Sequence, residues 1–254
     1  MTRFIRLPNL PENRVKKGII SGENENVIRL LESYAIEPIF TQPNFKIDKF
    51  ISNHADINIH YLGNGQFIAD SSQGSVISVL KRLDANIFMS EEPVSGKYPF
   101  DCCLNFARVG NILFGKSDVC CNRLKKYCQS NGIDIINVRQ GYSKCSVCIV
   151  NDRSIITDDP AIKKAADAAG FDCLMICKGD IRLNGHNYGF IGGASTLIDK
   201  NKLMFFGNLK MHTNYQDIIK FCYDHNCEVL FDESFALTDV GGMIPVAEES
   251  ADSR

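Results

Sequence analysis

Residues 145–177, CSVCIVNDRSIITDDPAIKKAADAAGFDCLMIC, contain one complete structural unit and decide the fold. Two short runs rich in β-branched residues, Val147–Val150 and Ile155–Thr157, flank a polar turn and predict two adjacent strands. Asp159 and Pro160 are typical of a helix start, and a glycine ends the apolar periodicity that follows them. A third apolar run closes the stretch. The predicted order is therefore strand, turn, strand, helix, strand.

The same order of elements recurs along the chain at intervals of roughly 45 residues. The copies cover residues 54–90, 100–138, 143–177 and 188–231. A truncated copy at residues 14–42 lacks its opening strand, and the β-like residues 237–246 can supply that strand from the C-terminal end.

A first unit that is completed by the last strand closes a ring, whereas a solenoid needs capping repeats at its two ends. We therefore predict one domain over residues 1–254, an α/β propeller of five pseudo-symmetric ββαβ units. The alternatives are a doubly wound domain and an eight-fold barrel. Both have one strand for each helix, whereas this sequence predicts three.

Composition narrows the function classes. The chain has 28 Lys and Arg against 30 Asp and Glu, a net charge of −2, so the basic face typical of nucleic-acid binding is not expected. We expect no membrane segment, because no apolar run reaches the length of a spanning helix. The N-terminal residues lack the apolar core of a signal peptide, and we predict a cytoplasmic protein.

The sequence contains 11 cysteines. Their odd number and the absence of an export signal favour free thiols that pack as small hydrophobic side chains over a disulfide framework. Cys145 and Cys148 have a C-x-x-C spacing, but on a strand they would face opposite sides and could not bind one tetrahedral metal together. We therefore expect no metal and no cofactor.

A five-fold ring of ββαβ units resembles the pentein superfamily, over about residues 14–246. That superfamily includes arginine and agmatine deiminases, dimethylarginine dimethylaminohydrolase, amidinotransferases and a non-enzymatic ribosome anti-association factor. The resemblance implies that the opening strand of each unit lines a central pore. It also implies a functional site at one mouth of that pore.

The usual catalytic residues of the superfamily are missing from their places. The resemblance implies a nucleophilic cysteine after glycines on the closing strand, but here Gly241 and Gly242 are followed by Met243. The corresponding histidine and acidic residues are absent from residues 189–195 and 142–148. The sequence thus predicts a divergent member without the standard triad.

Other polar residues open the predicted units at corresponding positions. Cys145 is the candidate nucleophile, and we expect the charge of Lys144 beside it to favour a thiolate. Asp56 and Asp101 stand in the same register before a turn glycine, and should point to one region. The candidate ligand-binding residues are Asp56, Asn58, Asp101, Asn105, Lys144, Ser195 and Asp239. The alternatives are a buried, inert thiol and strand-end acids that are simply solvated.

These residues predict a polar site in the central pore for a small amino-acid-like or guanidine-like ligand, with hydrolase or transferase chemistry left open. The alternative is a non-catalytic ring that binds a macromolecular partner, as the resemblance to the anti-association factor implies. An open polar cavity lined by the candidate residues would favour the ligand. A filled axis would favour the non-catalytic ring.

Overall fold

The computed structural model describes residues 1–250, which form a mixed α/β fold. Its strands are β1 (Thr2–Phe4), β2 (Val15–Ile20), β3 (Glu37–Phe40), β4 (Ile59–Gly63), β5 (Gln66–Ala69), β6 (Asn86–Met89), β7 (Ala107–Val109), β8 (Ile112–Gly115), β9 (Asp134–Asn137), β10 (Val147–Ile149), β11 (Ser154–Thr157), β12 (Asp172–Met175), β13 (Ser195–Asp199), β14 (Lys202–Phe205), β15 (Glu228–Leu230) and β16 (Ile244–Glu249). Its α-helices are α1 (Glu25–Ser33), α2 (Ala55–Asn58), α3 (Gly74–Arg82), α4 (Asn122–Ser130), α5 (Ser143–Ser146), α6 (Pro160–Ala168) and α7 (Tyr215–Asp224).

The described strands form five small sheets, and four of them share one topology. In the sheets β4-β5-β6, β7-β8-β9, β10-β11-β12 and β13-β14-β15, the first strand runs antiparallel to the second. The second strand runs parallel to the third, and a helix connects them, because a parallel pair requires a crossover. The predicted ββαβ unit is confirmed in these four segments.

The fifth sheet combines the two ends of the chain, in the order β1-β16-β2-β3. β16 pairs antiparallel with β2, and Ile244 lies opposite Ile19. The prediction that the C-terminal segment completes the first unit is therefore confirmed. The predicted start of that strand at Leu237 is wrong, because residues 237–243 are irregular, with an isolated bridge between Thr238 and Arg182, and the strand begins at Ile244.

Helix positions follow from capping and from spaced apolar residues. The Asp159 carboxylate accepts hydrogen bonds from the backbone N–H groups of Ala161 and Ile162, which confirms the predicted start of α6. Ile162 and Ala166, four residues apart, are buried. Ser117–Val119 form a separate 3-10 turn, and α4 starts only at Asn122.

Most of the cysteines belong to the cores. All 11 are free, and Cys177 alone among them is exposed. Cys128 and Cys222 each lie four residues after a buried residue of the same helix, where a small apolar side chain fits. The expectation of buried free thiols is confirmed. Residues 1–250 contain no helix of the length and hydropathy needed to cross a membrane.

Short helical turns precede several opening strands, and this corrects the predicted position of the candidate site. Ser143–Ser146 form the single turn α5 before β10, where the sequence predicts continuous strand. Ala55–Asn58 form the single turn α2 before β4, and a 3-10 turn at Phe100–Cys102 precedes β7. The polar candidates of these segments therefore lie on turns at the strand starts, and not within pore-lining strands.

A buried carboxylate attaches the N-terminal segment to β16. Glu248 is fully buried, and it accepts hydrogen bonds from the side chain of Arg3 at 3.0 Å and from the backbone N–H groups of Glu12 and Asn13. A buried carboxylate is tolerated because these donors replace its hydration. The neighbouring Glu249 instead pairs with Lys16 at the surface.

We expect Glu248→Ala to lower the free energy of unfolding by about 2–3 kcal/mol, because it leaves two backbone donors and one guanidinium without their acceptor. Glu249→Ala is the matched control and should leave the denaturation midpoint nearly unchanged, since its ion pair is exposed. Urea denaturation followed by circular dichroism measures both. Equal destabilisation by the two variants would contradict this assignment.

Candidate functional site

The turns that precede the opening strands bring a thiol, a carboxylate and an amide into contact. Cys145 on α5 donates its thiol proton to Oδ2 of Asp56 on α2, at 2.9 Å from Sγ to oxygen. Asn105, just before β7, donates from Nδ2 to the Cys145 sulfur at 3.2 Å. All three side chains are buried. Three units therefore contribute to one cluster, although 89 residues separate Asp56 from Cys145 in sequence.

Asn105 holds this cluster together. Its Oδ1 accepts hydrogen bonds from the backbone N–H groups of Lys144 and Cys145, at 2.8 and 3.3 Å. Its Nδ2 also donates to the backbone carbonyl of Asp56 at 3.1 Å. Since the amide is fully buried and uses both ends, it positions the thiol and is not available to a ligand. Asn105 was predicted as a ligand-binding residue, and this geometry favours a positioning role.

His54 and Asp239 form the other side of the cluster. His54 Nδ1 lies 4.0 Å from Asp239 Oδ1 and has no hydrogen-bond partner within residues 1–250. The Asp239 carboxylate accepts hydrogen bonds from the backbone N–H groups of Phe190 and Gly241, both at 2.9 Å. Asp239 is thus fixed in orientation by one backbone donor of its own segment before β16 and by one from Phe190.

Glycines allow these turns to approach one another. A side chain at Gly193 would overlap the carboxylate of Asp239, and one at Gly241 would overlap His54. Gly241 also has a φ of 78°, a conformation that favours glycine. Close packing of the turns therefore accounts for both residues.

Burial controls the protonation of the cluster. Loss of hydration raises the pKa of Asp56 to about 6, and the nearby His54 and Lys144 oppose that shift. Burial also raises the pKa of the Cys145 thiol well above its ordinary value, and the carboxylates of Asp56 and Asp239 add to the increase. The expectation that Lys144 favours a thiolate is wrong for the free protein. Cys145 is a neutral thiol beside two carboxyl groups.

A cavity of about 270 Å³ opens beside the cluster. Cys145, His54 and Asp239 line it, together with aromatic side chains that include Tyr142, Tyr188 and Phe190. In the part of the chain that the structure describes, the lining includes neither Lys nor Arg. A small ligand in this cavity would meet a thiol, a carboxylate, an imidazole and aromatic faces.

Lys144 and Ser195 do not reach this cavity. Lys144 lines two much smaller cavities of about 20 and 10 Å³, and Asn9 of the N-terminal segment lies beside both. Ser195 lines the second of these cavities and donates its hydroxyl proton to the Ile191 carbonyl at 2.7 Å. Each of these cavities has room for at most about one water molecule, so this side of the cluster is closely packed.

Asp101 and Asn58 do not line the 270 Å³ cavity, but each forms a hydrogen bond with a residue that does. Asp101 accepts a hydrogen bond from the Tyr142 hydroxyl at 2.6 Å, and so contributes to the cavity through that ring. Asp56 and Asp101 therefore lie near one cavity, as their shared register predicts. They accept hydrogen bonds from two different residues that line it, Cys145 and Tyr142. Asn58 donates to the backbone carbonyls of Ser52 and His54 and supports the turn that carries His54.

Sequence reasoning missed several lining residues. His54 could have been found, because it stands two residues before Asp56 in the same opening segment, HADIN. His186 and Phe190 lie in a long irregular segment without periodicity, which carried no signal. Cys148 packs in a hydrophobic core beside Val147 and Ile149, whereas Cys145 faces the cavity, so the C-x-x-C spacing joins residues of different environments.

Solved structures of low sequence identity share this fold. An inosamine-phosphate amidinotransferase from Streptomyces griseus superimposes with a TM-score of 0.61, at 9% identity and 98% coverage of both chains. Agmatine deiminase from C. jejuni gives 0.54 at 13% identity, covering 92% of this chain and 90% of the other. Dimethylarginine dimethylaminohydrolase from Pseudomonas aeruginosa, complexed with citrulline, gives 0.55 at 10% identity, covering 87% and 93%.

These matches confirm the predicted fold of the pentein superfamily. No curated protein matches the sequence. At the level of sequence families, residues 19–244 match the model described as "Family of unknown function (DUF6873)". Because that match covers most of the chain, the protein belongs to the DUF6873 family.

Proposed function

We propose that the protein binds a small cationic guanidine- or amidine-type compound in the cavity beside Cys145 and acts on it through that thiol, as a hydrolase or transferase. One observation carries this proposal. The Cys145 thiol and the Asp239 carboxylate line one cavity whose described lining has neither Lys nor Arg. A nucleophile and a fixed negative charge in a concave site are the groups that chemistry on a small cation needs.

The charge of the cavity favours a cation. Asp239 lines it directly, and Asp56 lies behind Cys145 in contact with the sulfur. A planar guanidinium or amidinium can donate two parallel hydrogen bonds to a carboxylate, which an ammonium cannot match in geometry. The rings of Tyr142 and Phe190 supply flat faces that attract a cation further.

Binding of a cation would also activate the thiol. In the free protein, burial and two carboxylates keep Cys145 protonated. A positive charge beside the sulfur would lower the pKa of the Cys145 thiol, because it stabilises the thiolate. Asp56 is the acceptor for the thiol proton, since it already receives the Cys145 hydrogen bond and its pKa of about 6 suits proton transfer near neutral pH.

The resulting reaction has two stages. The sulfur attacks the central carbon of the amidino group and forms a C–S bond, while the thiol proton moves to Asp56. The C–N bond to the leaving amine breaks, and Asp56 returns that proton to the departing nitrogen. Water, or an acceptor amine in a transferase, then attacks the same carbon and gives up a proton to Asp56. The C–S bond breaks, and Asp56 passes that proton to the sulfur, which restores the thiol.

The fold supports a nucleophile at this unusual place. We propose that the five sheets close into a propeller, which the pairing of β16 with β2 supports. In such a ring the opening turn of each unit lies at the same mouth of the central pore. A thiol on the fourth unit can therefore act as the nucleophile there, although the resemblance implies a nucleophile on the closing strand. Solved structures with this fold include an agmatine deiminase and a citrulline-bound dimethylarginine dimethylaminohydrolase.

The proposal predicts charge-selective alkylation of Cys145. Chloroacetamidine carries an amidinium, whereas chloroacetamide is its neutral counterpart. The preference of Cys145 for chloroacetamidine, normalised to the exposed Cys177, should be at least about tenfold, since a carboxylate contributes several kcal/mol near a cation in a partly buried site. Peptide mass spectrometry after timed labelling of chelator-treated protein measures both rates.

Asp239→Asn should remove this preference while the Cys177 rate stays constant. Asp118→Asn, at an exposed surface carboxylate, is the matched control and should retain it. If Cys145 reacts equally with both reagents in the native protein, the cavity is not a cation site and the proposal fails.

Turnover is the second expected outcome. Incubation with a panel of guanidino and amidino compounds should release ammonia, urea or an amine from at least one of them. Cys145→Ser should lower that rate by at least roughly 10³-fold, because removing a nucleophile abolishes the covalent route. Cys148→Ser should retain it, since that thiol lies in the hydrophobic core. Activity that survives in Cys145→Ser would assign the reaction to another group.

A further inference from the structure

In place of the sequence-based expectation of no metal, we propose that His54, Asp56 and Cys145 form a binding site for a soft divalent metal ion, Zn²⁺ in particular. A ring nitrogen of His54, a carboxylate oxygen of Asp56 and the sulfur of Cys145 all lie within 4.8 Å of one another. Imidazole, carboxylate and thiolate are the three ligand types that zinc accepts in proteins. This site goes beyond the proposed amidine chemistry and does not rest on it.

Unpartnered buried atoms are the second observation. Nδ1 of His54 and Oδ1 of Asp56 are buried and have no hydrogen-bond partner in the part of the chain that the structure describes. His54 is 4% exposed and Asp56 is 2% exposed, so bulk water does not satisfy these atoms. A buried polar atom without a partner is costly, and a metal ion provides the missing partner.

Charge also favours a divalent ion. Deprotonated Cys145 and ionised Asp56 together carry two negative charges, which a divalent cation neutralises in a region that excludes water. Binding replaces the thiol proton by the metal, so that the Cys145 S–H bond breaks, an S–Zn bond forms and one proton leaves to solvent. The thiolate disfavours Mg²⁺ and Ca²⁺, which prefer oxygen ligands.

The geometry leaves one coordination position open. Tetrahedral zinc ligands lie roughly 3.5 Å apart, so side-chain shifts of about 1 Å would complete the site. His54 and Cys145 line the ligand cavity, and a water or a ligand atom could occupy the fourth position from that side. Asp239 Oδ1 lies 4.0 Å from His54 Nδ1, so its carboxylate adds negative charge beside the proposed ion. The C-x-x-C spacing plays no part, because Cys148 is not a member of the cluster.

Cobalt provides a direct test with a spectroscopic signature. Chelator-treated full-length protein is titrated with Co²⁺, and we expect a thiolate-to-cobalt charge-transfer band that saturates at about one equivalent. Zn²⁺ should displace the cobalt and abolish the band. Cys145→Ser should eliminate the band, and His54→Gln or Asp56→Asn should weaken binding at least roughly tenfold. Cys148→Ser is the matched control and should leave the titration unchanged.

Two further readouts keep the test independent of folding and of activity. Thermal unfolding of each variant without metal shows whether the variant is folded, and bound Zn²⁺ should raise the Tm of the native protein. Zn²⁺ should also protect Cys145, but not Cys177, from alkylation. A cobalt spectrum without a thiolate band, or a band that survives in Cys145→Ser, would contradict the proposed metal site. Charge-selective alkylation is measured in chelator, so failure of either proposal leaves the other intact.

Discussion

The pairing of β16 with β2 is the interaction on which the arrangement of the site depends. It joins the two ends of the chain in one sheet and places the turn before β16 against the turns of other units. Asp239 lies in that turn, and the backbone N–H groups of Phe190 and Gly241 fix its carboxylate. The pairing thereby helps to hold Asp239 4.0 Å from His54.

The second constraint is the burial of ionisable groups at one place. Asp56, Asp239 and Cys145 are each about 3% exposed or less, and their mutual repulsion opposes ionisation of the thiol. Such an arrangement is unfavourable for stability unless positive charge lies nearby; Lys144 and His54 supply part of it, and a bound cation would supply more. A cationic ligand and a metal ion both meet that requirement, and both would convert Cys145 into a thiolate. The two proposals therefore share one physical cause, although they differ in the species that supplies the charge.

The repeated unit offers several corresponding positions for the proposed nucleophile. Each unit begins with a turn at the start of its first strand, and the turns of the second, third and fourth units meet around Cys145, Asp56 and Asn105. A thiol on any of these turns lies near the same cluster. The absence of a cysteine from residues 237–246 is therefore compatible with the proposed role of Cys145.

The sequence by itself determined the repeated unit, because apolar period, turn residues and helix caps are local signals. Asp159 and Pro160 mark α6, and the truncated first copy correctly pointed to a strand from the C-terminal end. The candidate residues Cys145, Asp56 and Asp239 could also be identified from the sequence, since each lies where a predicted unit begins.

Tertiary structure alone decided what these residues do. The helical turn at Ser143–Ser146 could not be read from the sequence, because two of its backbone N–H groups are satisfied by Asn105, 39 and 40 residues earlier in the chain. The direction of the Cys145 pKa shift depends on burial and on carboxylates from other units. The side of the cluster that opens to a ligand was likewise set by packing, since Lys144 and Asn9 line only the small cavities opposite. Local sequence specifies backbone elements, whereas charge, burial and accessibility depend on contacts between residues that are distant in the chain.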